Sequence, residues 1–410
     1  MTSTDTGTGR RRMYVFLAAF LALWAVALFA LTVTLIPDLY WYSYYAVDYT
    51  IGFLRRGLAG EILSWLPGQN QFVEQRIGRW VSSGVFIAAL ACLAWWVAFR
   101  SGRSERRLQL AFLVVMLPFG FAFGLLQAGS TLFGGALLVL YAIALAASDS
   151  SRSVLVSSAA FGLAAIVATL MHEAIPLLFG LGVIAALAVL ANRLTTKAFW
   201  ASLGLALGPG MITALVIAAF GKRGVSAELC ALIPNGMVNN PLAGNPTSGE
   251  LLRGYKFYVD YQDWACRNIT PFYDRDLIDA VHYVGRLGPD GMVVNTLFGL
   301  GVFAITILAI GWVSGVPFTR MRTLLERRRT AVIVGILLLV PVFMTGVDWV
   351  RWWVVIALDI GAVYLLYASR QPEVDEPPTR RSTRAFVATT IALALFPVGI
   401  VPAFLAPLPI

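Results

Sequence analysis

Long apolar runs separated by short polar segments dominate the sequence. A transmembrane helix needs about 20 mostly apolar residues to cross roughly 30 Å of hydrocarbon, and each run is close to that length. The pattern therefore predicts an all-α, polytopic membrane protein with about eleven transmembrane helices. The predicted spans are 13–35, 80–99, 108–126, 130–148, 153–171, 174–192, 198–220, 291–315, 330–345, 351–368 and 385–407.

Basic residues indicate the orientation of these spans. Most of the 31 lysines and arginines lie in short segments before the first span and after alternate later spans, such as 100–107 and 320–329. Because basic loops stay on the cytoplasmic side, we expect the N-terminus inside and the C-terminus outside. The net charge of +9 then reflects topology and attraction to anionic lipid, and it does not indicate nucleic-acid binding.

The chain divides into four predicted parts. They are a cytoplasmic tail at 1–12, a transmembrane core at 13–368, a charged, proline-containing cytoplasmic linker at 369–384 and the last transmembrane helix at 385–410. The core includes two long external segments, 36–79 and 221–290. This arrangement predicts a protein of the bacterial plasma membrane whose working face is external.

Seven ionisable residues lie at the same, external ends of successive spans. A charged side chain at membrane depth costs roughly 2.5–3.5 kcal/mol, so such residues usually serve a site. Their common level predicts a polar chamber at the outer face. The residues are Asp48, Arg55, Arg56, His172, Glu173, Asp348 and Arg351.

The first external segment follows Asp48 with apolar residues at helical spacing. They are Ile51, Phe53, Leu54, Leu58, Ile62 and Leu63, and they predict an amphipathic helix along the membrane surface. Arg55 and Arg56 would then reach a bound phosphate. The alternative is that both arginines contact ordinary lipid head groups.

The other paired charges also have two interpretations each. His172 and Glu173, between two spans, supply a base, a hydrogen bond to a sugar or a metal ligand, or they only cap a helical hairpin. Asp348 and Arg351 are three residues apart, so they share a helix face as an ion pair or hold a phosphate. Gln127 lies at the same level and is a further candidate for the chamber lining.

The external segment 221–290 mixes amide, carboxylate and aromatic side chains, a combination that suits sugar binding. Tyr261 and Trp264 are its candidate contacts. Cys230 and Cys266 share this oxidising side, so we expect them to form a disulfide bond. With two histidines in the chain and no HExxH spacing, no metal site is predicted; a divalent metal is compatible with the chemistry but is not implied.

This combination resembles the GT-C superfamily of integral-membrane glycosyltransferases, which take sugars from polyprenyl phosphates. The resemblance covers the whole chain as architecture, and at the level of motifs it rests on Asp48, Arg55 and Arg56. It implies that Asp48 is the catalytic base, with Glu173 the next candidate, and that both arginines and Arg351 hold the donor phosphate. It also implies an inverting transfer without a nucleotide or redox cofactor.

The resemblance extends to actinobacterial cell-envelope enzymes. It favours an arabinofuranosyl or mannosyl donor and a glycan or glycolipid acceptor. Two alternatives stay open. A lipid-linked oligosaccharide polymerase or ligase would share the external arginines and the long late loop, whereas a lipid or sugar transporter or flippase would need charges near mid-membrane and two halves that echo each other.

Overall fold

A computed structural model describes residues 5–35, 39, 43–67, 71–100, 102–244 and 246–398. The predicted last span, 385–407, is therefore described only in part, and so are the tail at 1–12 and the segment 36–79. The described chain is mostly helical, as the hydropathy pattern predicts. Its α-helices are α1 (Asp5–Leu35), α2 (Gly57–Ser64), α3 (Gln71–Phe99), α4 (Glu105–Met116), α5 (Phe121–Leu126), α6 (Thr131–Ala147), α7 (Ser151–Met171), α8 (Ile175–Leu178), α9 (Gly180–Leu190), α10 (Thr196–Phe220), α11 (Ser226–Leu232), α12 (Ser248–Leu252), α13 (Tyr261–Asn268), α14 (Leu277–Gly285), α15 (Gly288–Ser314), α16 (Phe318–Glu326), α17 (Arg329–Thr345), α18 (Trp349–Ala368) and α19 (Arg380–Leu395).

Seven of the described helices or helix pairs are long and apolar enough to cross a membrane. The bent pair of α16 and α17, which turns by 98°, makes an eighth candidate if it counts as one span. Two apolar helices, α6 and α9, are shorter. Each predicted span contains a helix in its described part, while the total of eleven stays a prediction.

The chain forms two compact units. One contains residues 1–39 and 237–260, with α1 and a small antiparallel hairpin. Its strands are β1 (Met237–Asn239) and β2 (Tyr258–Asp260), and Met237 pairs with Asp260. The other unit contains residues 40–236 and 261–410 and holds every predicted site residue.

The centre of the larger unit is built from α9 and α18, which pack together. All residues of α9 are buried, and α18 is buried on all sides along most of its length. A helix that is apolar all round belongs inside a bundle, because it has no polar face to present elsewhere. Helices α6, α15 and α17 pack around this pair.

Small residues bring α7 and α10 close together. A Cβ atom at Gly162 would lie 2.1 Å from the carbonyl oxygen of Leu205, and one at Gly210 would lie 3.4 Å from the Cβ atom of Ala165. Such contacts are typical of membrane helices, where close backbone approach supplies the packing energy. This crossing holds α7 against α10.

Two predicted spans are broken helices. The run 108–126 is divided between α4 and α5, and the run 174–192 is divided between α8 and α9 at Phe179. Next to the second break, the Asp359 carboxylate of α18 accepts a hydrogen bond of 3.2 Å from the Gly182 amide. This carboxylate thus satisfies a donor in the first turn of α9.

The predicted cytoplasmic linker is docked on the bundle. A short 3₁₀ helix, Pro372–Asp375, buries Val374 completely, and Asp375 accepts a hydrogen bond of 2.7 Å from Arg107. Arg320 forms an ion pair with Glu373. The charges of this segment therefore attach it to α4 and α16 and do not keep it free in solvent.

In the segment 221–290, which is predicted to be external, Cys230 and Cys266 form a disulfide bond with a Cα–Cα distance of 5.2 Å. The bond joins α11 to α13. Tyr261, at the start of α13, is fully buried, and its hydroxyl donates to Gln75 of α3 at 3.1 Å. The Tyr261 hydrogen bond thus fixes the start of α13 to α3.

Candidate functional site

A cavity of about 600 Å³ lies in the larger unit, beside those ends of the spans that the sequence predicts to be external. It is lined by polar residues from five separate segments and by apolar residues of α10 and α17. Six of the predicted site residues meet there. They are Arg55, Arg56, His172, Glu173, Asp348 and Arg351.

Arg56 and Glu173 form an ion pair in the wall of this cavity. The Arg56 Nε and Nη2 atoms both donate to the Glu173 carboxylate, with three contacts of 2.9–3.2 Å. The guanidinium also lies over the Tyr44 ring, 5.3 Å from its centroid. A bidentate pair of this kind holds the arginine in one orientation.

The backbone of Arg56 is left-handed, with φ of 64°. It is the only non-glycine residue with a positive φ in the described part of the chain. Tight packing explains why the turn is kept: a Cβ atom at Gly57 would lie 2.4 Å from the Tyr49 ring, and one at Gly60 would lie 2.2 Å from the Val47 carbonyl oxygen. Such a conformation for a side-chain-bearing residue costs of order 1–2 kcal/mol and is concentrated at functional sites.

This turn also shortens the predicted surface helix. The apolar pattern indicated a helix from Ile51, but α2 begins at Gly57, after the left-handed residue. Residues 51–56 instead form turns that direct Arg55 and Arg56 into the cavity. Gly57, Ala59, Gly60 and Leu63 face the protein.

Arg55 lies on the opposite wall, against the segment that precedes α14. Its Nη2 donates to the Phe272 carbonyl, and its guanidinium lies 5.2 Å from the centroid of the Tyr273 ring. Burial lowers the pKa of Arg55 below its usual value, and Glu173 partly opposes this effect. A half-buried cation of this kind gains from an anionic ligand.

His172 ends α7 and is held as a neutral ring. Its Nδ1 accepts a hydrogen bond of 3.2 Å from the Ala174 amide, so the proton lies on Nε2. Burial, with a further contribution from Arg56, lowers the pKa of His172 to about 3 although Glu173 acts in the opposite direction. Its ring stacks on Tyr44 with centroids 6.0 Å apart.

Glu173 is charged at neutral pH. Burial alone would raise the pKa of Glu173, but the charge and hydrogen bonds of Arg56 outweigh it and hold the pKa well below the usual range. While the pair is intact, Glu173 is therefore a weak base. The pair also raises the pKa of Arg56, against the effect of burial.

Asp348 and Arg351 form the predicted ion pair at the start of α18. Arg351 is buried and contributes to the cavity wall. The guanidinium of Arg351 thus adds positive charge to the same cavity as Arg55 and Arg56.

Three further basic residues line the cavity, and the sequence pattern did not single them out. They are Lys222, Arg223 and Arg275. Lys222 pairs with Glu228 at 2.9 Å, whereas Arg223 donates to the Ala218 carbonyl at 3.0 Å. Arg275 reaches the site only through the folded loop, so hydropathy and spacing carried no signal for it. Lys222 and Arg223 directly follow α10, and their position at the end of that span was a signal that could have found them.

The cavity has a long apolar wall. It consists of side chains of α10 and α17, and Leu215 of α10 is 65% exposed on the outer surface of the helix. The wall is therefore continuous with the face that α10 presents outside the bundle. A ligand with an anionic head and an apolar tail matches both parts of the lining.

Four predicted site residues lie outside the described lining of this cavity. Asp48 borders a smaller pocket of about 130 Å³ with Leu229 and Ile233, and its carboxylate accepts from the Thr50 amide at 2.9 Å. Gln127 ends α5, Tyr261 is buried against α3, and Trp264 lies in α13. The structure brings none of these four into the arginine cluster.

A family model described as "Uncharacterised membrane protein Rv1490" matches residues 14–394. The chain belongs to the Rv1490 family. Relatives from Mycobacterium tuberculosis strain H37Rv and from Mycobacterium bovis are each 38% identical over 396 residues, which is 95% of this chain and 91% of theirs. Both carry the description "uncharacterized protein". No solved structure matches the chain.

Within this member of the Rv1490 family, the described residues contain no group of three or more His, Cys, Asp or Glu side chains placed to hold a metal ion. The cavity combines six basic residues with Glu173, Asp276 and Asp348. Its chemistry therefore suits electrostatic binding of an anion by guanidinium groups.

Proposed function

We propose that this protein is a membrane glycosyltransferase that takes a sugar from a polyprenyl-linked phosphate donor. The observation that carries the proposal is the pairing, in one cavity, of six basic side chains with an apolar wall on α10 and α17. A polyprenyl-linked phosphate has the same two parts: a charged head and a long apolar chain. The protein would bind the head with Arg55, Arg56 and Arg351.

The donor phosphate is expected to exchange with Glu173 on Arg56. Both are anions that suit a bidentate guanidinium, and Arg55 and Arg351 add positive charge beside it. Once Arg56 binds the phosphate, Glu173 loses its strongest stabilising partner. Its pKa then rises toward the usual range, which makes it a better proton acceptor.

In the proposed reaction, Glu173 accepts the proton of an acceptor hydroxyl as that oxygen attacks the anomeric carbon. The new carbon–oxygen bond forms while the bond to the phosphate oxygen breaks, and the lipid phosphate leaves with the bonding electrons. Arginines already in place stabilise the developing negative charge. The neutral His172 would donate its Nε2–H to a sugar or phosphate oxygen. One displacement inverts the anomeric centre.

The wider setting of the proposal follows from the sequence. Eleven spans with a cytoplasmic N-terminus would put this cavity at the external face of a bacterial plasma membrane. The resemblance to GT-C enzymes favours an arabinofuranosyl or mannosyl donor and a cell-envelope glycan or glycolipid acceptor. Three ion pairs lie beside this cavity: Arg56 with Glu173, Arg351 with Asp348, and Lys222 with Glu228. They support a site at the external surface of the plasma membrane.

The test is sugar transfer by the purified protein from a polyprenyl-phosphate donor, comparing two carboxylate variants. Glu173→Gln should lower the rate of transfer about 10²-fold or more, the usual contribution of a general base. Asp48→Asn, which changes a carboxylate outside the cavity, serves as the matched control and should retain most activity. The reverse result would move the base to Asp48, and absence of transfer from any polyprenyl-linked sugar would reject the proposed activity.

A further inference from the structure

Arg275 is a cavity residue that the proposed reaction does not use. Its guanidinium lies against two aromatic rings, 4.3 Å from the centroid of Phe272 and 4.4 Å from that of Tyr283. The two rings meet edge to face, with centroids 5.5 Å apart. This contact fixes the arginine and removes much of its hydration.

No carboxylate pairs with Arg275 in the described part of the chain. The adjacent acids are engaged elsewhere: Asp274 accepts from the Ser226 amide at 2.8 Å, and Asp276 accepts from the Asp279 amide at 2.8 Å. The Nη1 atom of Arg275 is buried and has no hydrogen-bond partner among the described residues. A buried, unsatisfied guanidinium nitrogen in a cavity wall is a strong site for an anionic ligand.

The position of Arg275 is linked to that of Arg55 through one residue. Arg55 donates to the backbone carbonyl of Phe272, and Arg275 lies on the ring of the same residue. Arg223, at the exposed edge of the cavity, also lies close enough to lower the pKa of Arg55 by charge repulsion. Arg223 and Arg275, which pair with no carboxylate among the described residues, thus line the same cavity as the arginines assigned to the donor phosphate.

We infer that Arg275, with Arg223, binds a second phosphate, so that the lipid carrier is a diphosphate. This inference rests on the proposed function and specifies the head group of its donor. A sugar-linked monophosphate has one negative charge, whereas a sugar-linked diphosphate has two. The second charge requires a second set of donors, and Arg275 supplies a rigid one.

The experiment measures the affinity of the purified, full-length protein for farnesyl phosphate and farnesyl diphosphate, which have the same tail. The wild-type protein should bind the diphosphate about 10-fold or more tightly than the monophosphate, as expected for one added charge-assisted hydrogen bond. Arg275→Gln should remove most of this preference while changing the affinity for the monophosphate little. Inorganic pyrophosphate should bind more weakly than farnesyl diphosphate, because it makes no contact with the apolar wall.

Arg286→Gln is the matched control. Arg286 also lies over the Tyr283 ring, at 5.5 Å, but it does not line the cavity. This variant should keep the wild-type preference.

Equal affinity of the wild-type protein for the two lipids would overturn the inference. So would a decrease in affinity for farnesyl phosphate in Arg275→Gln as large as the decrease for farnesyl diphosphate. In either case binding of farnesyl phosphate would still support the proposed donor cavity. Failure of both lipids to bind would reject the cavity as a donor site altogether. Pyrophosphate binding as tightly as farnesyl diphosphate would show that the ligand is not a lipid.

Discussion

The Glu173 carboxylate binds the guanidinium of Arg56 at the place where an anionic ligand would bind. The two side chains share three hydrogen-bond contacts of 2.9–3.2 Å in a half-buried setting. On the proposed function, a ligand phosphate would compete with a residue of the same chain, and that competition would reduce the apparent affinity for the ligand.

Removing the competing charge should strengthen binding of the lipid phosphate. We expect Glu173→Gln to bind farnesyl phosphate about 10-fold more tightly than the wild-type protein, because a neutral amide holds Arg56 less strongly. Equilibrium binding in detergent measures this. Glu326→Gln is the control, since Glu326 pairs with Arg322 on α16 and does not line the cavity. Weaker binding by Glu173→Gln would contradict the competition.

His172 should make the folded protein sensitive to acid. Its pKa is about 3 in the folded protein, mainly because of burial, and about 6.5 when exposed. The unfolded chain therefore takes up a proton below pH 6.5 that the folded protein does not, so stability falls as the pH drops. The loss should be about 2 kcal/mol between pH 7 and pH 5.

The pH dependence of the unfolding midpoint in detergent checks this prediction. His172→Gln should remove most of the loss between pH 7 and pH 5. His282→Gln provides the comparison, because His282 is exposed in the folded protein and its replacement should keep the wild-type slope. An unchanged slope in His172→Gln would show that other groups cause the acid sensitivity.

Residue types and their level in the membrane were enough to predict six members of the cavity, including Glu173 and Arg351. They did not separate Asp48 from this group, because sequence fixes the level of a residue but not its direction around the bundle. Arg275 was missed for a related reason: it reaches the cavity through a folded loop, and only the tertiary structure brings it next to Phe272 and Tyr283.

At the scale of elements, the helix break between α8 and α9 lies next to the centre of the bundle. The amide of Gly182 finds its acceptor in the Asp359 side chain of a neighbouring helix. A Cβ atom at Gly182 would lie 2.8 Å from this carboxyl group, so the contact needs glycine at that position. The pair joins the two most buried helices of the protein.

Replacing Asp359 should therefore separate a hydrogen-bonding role from a packing role. Asp359→Leu leaves the Gly182 amide without an acceptor and should lower the free energy of unfolding by about 1–3 kcal/mol. Asp359→Asn retains an acceptor oxygen and should lose less. Unfolding in detergent measures both variants, and equal losses would show that the hydrogen bond does not stabilise this helix break.

Hydropathy predicted where helices occur, because the bilayer imposes one length on every span. It did not predict where helices begin, break or dock on one another. The predicted helix over 51–63 begins only at Gly57, since close packing of Gly57 and Gly60 keeps Arg56 in a left-handed turn. The segment 369–384 was predicted to be a cytoplasmic linker from its charge and proline content, and in the structure its acids meet Arg107 and Arg320 on the folded bundle. In both cases the local structure depends on contacts between segments that are distant in the sequence.

For the whole molecule, the orientation in the membrane decides which compartment the cavity faces. Basic loops should lie inside. Cysteines introduced at 103 and 322 should therefore react with a membrane-impermeant reagent only after the cytoplasmic side is opened, whereas a cysteine at 278 should react in intact cells. A background without a reactive thiol requires replacement of Cys92, the free cysteine of the described chain, while Cys230 and Cys266 stay in their disulfide bond. Labelling of position 278 from the cytoplasm would place the cavity on the inner face.

The central claim is that the arginine cavity binds the head group of a phosphate-bearing lipid. A cryo-EM map of the protein purified with its native lipid tests it most directly. The predicted result is phosphate density within hydrogen-bonding distance of Arg55 and Arg56, with the lipid chain leaving along α10 and α17. A lipid phosphate beside Asp48, with the arginine cavity lacking any head group, would contradict the claim.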